Sequence, residues 1–232
     1  MEWENVTVRF ALYLNVMLVF GLPLFSLYSF TASERGSGTA KLFLRLSKGF
    51  AGSAIVLSIA GLIVSAKMMS GAESYTDISP DAFSMILFEM SFGIAWLIRL
   101  AALVLFLILG SAFLAKRSTH QLSAMAFCGA TALATLAWGG HGVMNEGAKG
   151  LVHLISQIIH LIAAGAWVGA LASFVILLSS PRKTGSDEVV RLSRMLNGFA
   201  LMGTLVVGTL LLTGTINYLL IVGPRFGGLV TL

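Results

Sequence analysis

The chain is poor in almost everything that soluble enzymes use. Its single cysteine, Cys128, excludes an intrachain disulfide and any Cys-rich metal motif, and its place in an apolar run reads as a small packed residue. Only 11% of the 232 residues are charged, where a soluble globular domain carries about 25%. That shortfall excludes a water-soluble domain. No GxxxxGK[ST] loop is present, so ATP-driven pumping by this chain itself is not expected. No Ser-His-Asp arrangement and no carboxylate pair accompany the histidines, and the expectation is a protein that is not an enzyme.

What is present is hydrocarbon. Hydrophobic residues make up 57% of the chain and the mean hydropathy is +0.91, which predicts an all-α polytopic transmembrane bundle with about six spanning helices. The apolar runs fall at about 6–30, 50–69, 82–115, 121–138, 151–178 and 198–222 within a single membrane domain covering residues 1–232. The third run is too long for one perpendicular span, so it reads as an interfacial lead-in to about Phe92 followed by the spanning part. Pro181 stops the fifth. The acidic start MEWEN argues against a cleaved signal peptide.

The net charge of +5 does not point to nucleic acid, because ten of the fifteen Lys and Arg residues fall in the loops after the first, third and fifth runs. The loop SGAESYTDISPDAF, on the other side, carries Glu73, Asp77 and Asp81 and no basic residue. The positive-inside rule then places both termini outside the cytoplasm, in the periplasm of a Gram-negative inner membrane.

Three of the four histidines lie within the forty-odd residues from Trp138 to Leu178. His153 and His160 are seven apart, which on a helix returns to nearly the same face about 10.5 Å further along. Gln157 and Trp167 fall on that stripe. His141 precedes the helix in a Gly-rich loop with Met144 three residues on. Imidazole suits copper, zinc, iron and nickel, and thioether sulfur selects Cu(I); Met68 and Met69, by topology at the same end, are further candidates. Ionisable groups in a membrane mark functional paths more often than structural ones, and the expected metal ligands are His141, His160, His153 and Met144. His120, beside Lys116 and Arg117, reads as solvated. Arg99 and Glu89 are expected to find partners elsewhere or reach the interface, Asn15 and Asn217 to bond neighbouring helices, and Gly165 with Gly169 to let a neighbouring helix approach.

The segments GGHGVMNEG and IIHLIAAGAWVGAL (His160, Trp167, Gly169, Leu171), with FGIAWLIR (Gly93, Trp96, Arg99) and TGTINYLL (Gly214, Asn217), resemble the copper resistance protein D family of bacterial inner-membrane proteins. The resemblance covers roughly residues 85–225 and is most specific over His160–Leu171. It matches His141 to the histidine of the family's Gly-His loop and His160 to the one before the Trp-containing segment; His153 has no counterpart. It implies copper as the ion carried, uptake from periplasm toward cytoplasm, and a small periplasmic copper-binding partner protein. The family continues into a Tyr-Gly loop and further helices where this chain ends at PRFGGLVTL, so the chain is either a short member or a piece of a longer one. The alternative reading is a bis-histidine haem b electron carrier. His153 and His160 share one helix and cannot clamp a single haem from opposite faces.

Overall fold

The computed structural model describes residues 2–116, 118–139, 147–179 and 186–223. All regular structure among them is helical: α1 (Glu2–Ser29), α2 (Gly38–Ser70), α3 (Pro80–Phe88), α4 (Ser91–Lys116), α5 (Thr119–Ala134), α6 (Gly147–Ser179) and α7 (Ser186–Ile221). A 3₁₀ segment, Thr135–Gly139, extends α5. Six stretches are long and apolar enough to cross a membrane, and helices meet that demand because each satisfies its own backbone polar groups in lipid. Three helices are much longer than the roughly 20 residues needed to span: α2 and α6 have 33 residues and α7 has 36.

Two boundaries differ from the apolar runs. The second helix begins at Gly38 rather than near Phe50, because Ser37 caps it by accepting a bond from the Ala40 amide and Lys41, Arg45 and Lys48 ride on its surface instead of sitting in a loop. The last helix begins at Ser186 rather than near Gly198. The lead-in at 82–92 is a separate helix, α3, started by the Ser79 cap and Pro80. It folds tightly onto α4: a Cβ on Gly93 would collide with the Ile86 and Leu87 carbonyl oxygens.

Helix α1 is the centre of the bundle, with 56% of its most apolar window buried against 11% for α7. It packs along α2, α5 and α6. The closest approaches are at Phe20–Gly21. A Cβ on Gly21 would fall 2.5 Å from both the Gly165 carbonyl oxygen and the Gly169 Cα, and one on Gly129 of α5 would fall 2.7 Å from the Phe20 Cα. The GxxxG pair is therefore a packing notch, and its occupant is α1. Cys128, next to Gly129 in sequence, is buried and free.

At the end where the basic loops lie, the Glu34 carboxylate joins the α1–α2 connection to α7. It accepts both Nη2 contacts of Arg194 (2.6 and 2.8 Å), lies 3.3 Å from the Arg191 Nε, and accepts the Thr31 amide and hydroxyl. Partial burial pushes this carboxyl up, but the Thr31 and Arg194 hydrogen bonds outweigh it and hold the group below its ordinary value. A lowered folded pKa gives stability that is present above the unfolded carboxylate range, about 4.3, and is lost as pH falls through the folded value.

Two outcomes follow. Gly169→Ala should lower thermal stability in detergent by about 1–3 kcal/mol through overpacking against Gly21, whereas Gly52→Ala, where a Cβ meets nothing within 4 Å, should not. Glu34→Gln should lower the melting temperature at pH 7, and the gap from wild type should close as the solution is acidified through the carboxylate range.

Candidate functional site

The polar stripe of α6 faces α7. His160 Nδ1 lies 2.9 Å from the Thr213 hydroxyl, Asn217 Nδ2 donates to Gln157 Oε1 at 3.2 Å, and the Ser156 hydroxyl reaches the Thr213 carbonyl at 3.4 Å. Lower on the same face, Trp167 packs against Phe199, ring centroids 5.7 Å apart. Asn217 thus bonds across helices as its type suggests. Asn15 does not: it donates to the Ala11 carbonyl one turn back on its own helix, at 2.7 Å.

The Thr213 hydroxyl decides the protonation of His160. A hydroxyl has one proton, and Thr213 spends it on the Thr209 carbonyl at 2.6 Å. With its proton on that carbonyl it accepts from His160, an assignment that puts the ring hydrogen on Nδ1 and the lone pair of the neutral ring on Nε2.

His153 is among the most enclosed side chains, 1% exposed. It stands two turns from His160, about 10.5 Å along the axis, too far for the two to share one ion. His120 is exposed in the first turn of α5. His141 and Met144 lie in 140–146, outside the described residues. Among the described residues no group of three or more His, Cys, Asp or Glu could hold a metal.

At the end where α1 starts and α2 finishes, a cavity of about 340 Å³ opens between α1, α2, α4 and the 3₁₀ segment. Met68 and Met69 line it, as does Met90 at the α3–α4 break, a methionine that no local pattern singles out. Arg99 also lines it, although only 3% exposed. Its Nε donates to the Thr135 hydroxyl at 2.9 Å and its Nη2 to the Thr135 carbonyl at 3.3 Å. Arg9 joins from α1 and donates to the Gly139 carbonyl. Trp96 is fixed in the wall by its indole bond to the Ser58 carbonyl, 2.8 Å. Gly139, at the close of the 3₁₀ segment, is part of the cavity wall, and α6 starts at Gly147. The convergence of Met90, Arg9 and Arg99 joins residues up to 90 positions apart, which no local pattern announces; charges set within apolar runs, Arg9 and Arg99, are the signal that points to it.

Comparison with known proteins adds what geometry does not. A family model described as copper resistance protein D-like, N-terminal domain, matches residues 1–151. That span contains His141 but stops short of the His160–Leu171 segment, which is covered by similarity to whole relatives. Over 230 residues the chain is 40% identical to the copper resistance protein D of Pseudomonas syringae pv. tomato, covering 97% of this chain and 72% of that one. It is 29% identical over 219 residues to the inner membrane protein YebZ of Escherichia coli (strain K12), covering 94% and 72%. It is 26% identical over 222 residues to the copper transport protein CutJ of Bacillus subtilis (strain 168), covering 90% of this chain and 38% of that relative. No solved structure matches.

The tautomer assignment is open to direct measurement. In ¹⁵N spectra of selectively labelled protein, neutral His160 should show Nδ1 protonated, and Thr213→Val, which removes the acceptor, should yield a mixture of both tautomers. An unchanged spectrum in Thr213→Val would remove the basis for a free Nε2.

Proposed function

The chain belongs to the copper resistance protein D family, and from that premise we propose that it moves copper across the bacterial inner membrane, from periplasm to cytoplasm. It is a multi-pass membrane protein of a copper-handling family. Two of the relatives are named for copper resistance and copper transport rather than for an enzyme activity, which supports the reading of this chain as a carrier.

In this proposal the end of the bundle that holds the cavity faces the periplasm, in keeping with the basic residues concentrated at the other end. Copper is captured by His141 in the Gly-rich loop, with Met144 as an auxiliary thioether ligand, and passes to His160, with His153 as a further station. A small periplasmic copper-binding protein would deliver the ion. The observation that carries the reading is the His160–Thr213 bond: it leaves Nε2, the nitrogen a metal would use, unprotonated in the neutral ring. The two turns between His160 and His153 suit sequential stations better than a shared site. They suit the haem alternative poorly, because that needs axial ligands from opposite sides of one iron.

Neutral imidazole is the ligand, so protons compete with copper. Copper bound by the detergent-purified protein should approach one ion per chain, fall by about tenfold or more in His160→Ala, and weaken as pH drops through the ordinary imidazole range near 6.5. Copper analysis across pH 7.5 to 5, paired with an absorption spectrum, checks this. Copper affinity that ignores both pH and His160→Ala would defeat imidazole ligation, and a Soret band sharpening on reduction would favour the haem reading.

A further inference from the structure

The cavity at the α1–α2–α4 end combines two kinds of side chain that do not belong together around a bare metal cation. Met68, Met69 and Met90 offer thioether sulfur, a soft and uncharged ligand whose preferred first-row metal is Cu(I). Arg9 and Arg99 bring two guanidinium charges into the same wall. No described lining residue is Asp or Glu. Arg99 is nearly fully enclosed and its described hydrogen bonds all go to Thr135, a neutral partner; Arg9 likewise bonds a neutral carbonyl.

An unpaired cation enclosed at a membrane-embedded site is costly, and such charges ordinarily meet a counter-charge. Arg99 enclosed in the wall, and the exposed Arg9 at the same space, set up a positive potential that repels a free monovalent copper ion, least screened on the Arg99 side. The same potential attracts an anion, and guanidinium is the side chain best suited to donate to one. Thioethers alone would select Cu(I) and guanidiniums alone an anion. A single ligand that satisfies both is Cu(I) carrying its own negative ligands.

We infer that this cavity binds Cu(I) as an anionic halide complex, with Met68, Met69 and Met90 supplying sulfur to the metal and Arg9 and Arg99 holding the halide. The inference rests on the copper reading above and names the chemical form in which copper enters. The step is ligand exchange with addition: as dichlorocuprate(I) docks, three Cu–S bonds form while one Cu–Cl bond breaks and that chloride returns to solvent, the metal going from two- to four-coordinate. The other chloride stays on the metal within reach of the guanidiniums, and copper remains Cu(I) throughout. No electron or proton is transferred. Arg99, pinned by Thr135, and Arg9, pinned by Gly139, position the anion; the methionines touch the metal.

The test measures Cu(I) affinity of the detergent-purified full chain by competition with a colorimetric Cu(I) chelator under ascorbate, once in chloride and once with chloride replaced by nitrate. Wild type should bind at least about tenfold more tightly in chloride, a difference of about 1.4 kcal/mol. The triple variant Met68→Leu, Met69→Leu, Met90→Leu should lose this component in both media. Arg99→Gln should retain a thioether site but lose its chloride preference; because Arg99 is buried, the exposed Arg9→Gln is the second variant, and it should cut that preference severalfold. Equal or weaker wild-type affinity in chloride, or a methionine triple variant that binds as wild type does, overturns the inference. Copper that is bound, indifferent to chloride and lost only in His160→Ala overturns it while leaving the transport reading intact. Failure of wild type to bind copper in either medium, or in either oxidation state, overturns the transport reading and this inference with it.

Discussion

Everything in the bundle is arranged around one place where three backbones come closer than side chains allow. At Phe20–Gly21, α1 lies between Gly129 of α5 on one side and Gly165 with Gly169 of α6 on the other. In a membrane no hydrophobic force pulls one apolar helix to another, so close van der Waals packing has to do it, and that requires missing side chains at the contact. With α1 held there, the register of α6 is fixed. Its glycine face is committed to α1, and its opposite face, carrying Ser156, Gln157 and His160, is left for α7.

The two faces of α6 are therefore coupled by geometry. Helix α7, the least enclosed of the spanning helices, joins the bundle mainly through α6, and the polar contacts of Thr213 and Asn217 supply direction to a seam that apolar packing alone would leave free to slide. A further tie at the far end, Glu34 to Arg194 and Arg191, fixes the start of α7 against the α1–α2 connection. At the opposite end, the α3–α4 break does the comparable work: Gly93 lets α3 fold back, which brings Met90 to the cavity that Met68 and Met69 reach from α2.

Much of this was legible in the residues because lipid imposes few solutions. Six spans, the interfacial lead-in before α4, the notch made by Gly165 and Gly169, and the common face of Gln157 and His160 all follow from hydropathy and a period of 3.6. The start of α2 was not, since Lys41, Arg45 and Lys48 look like loop residues by charge; Lys48 instead reaches along the helix surface to the Ser111 hydroxyl at 3.0 Å. Asn15 misled for a related reason, its amide being satisfied within its own turn. The 3₁₀ close of α5 depends on the Thr135 side chain, which bonds the Ala132 carbonyl at 2.6 Å while accepting from Arg99, a coincidence of partners that no local pattern announces.

The Thr213 hydroxyl gives the histidine site a handedness. The hydrogen bonds run in one sense, from the His160 ring to Thr213 and on to the Thr209 carbonyl, and that carbonyl is a terminus because it has no proton to pass along. A proton arriving at Nε2 consequently has no exit through the far side of the ring without first breaking a bond that belongs to α7. His160 thus ends a proton path at α7, and its bond to Thr213 ties the state of the ring to the seating of α7 against α6.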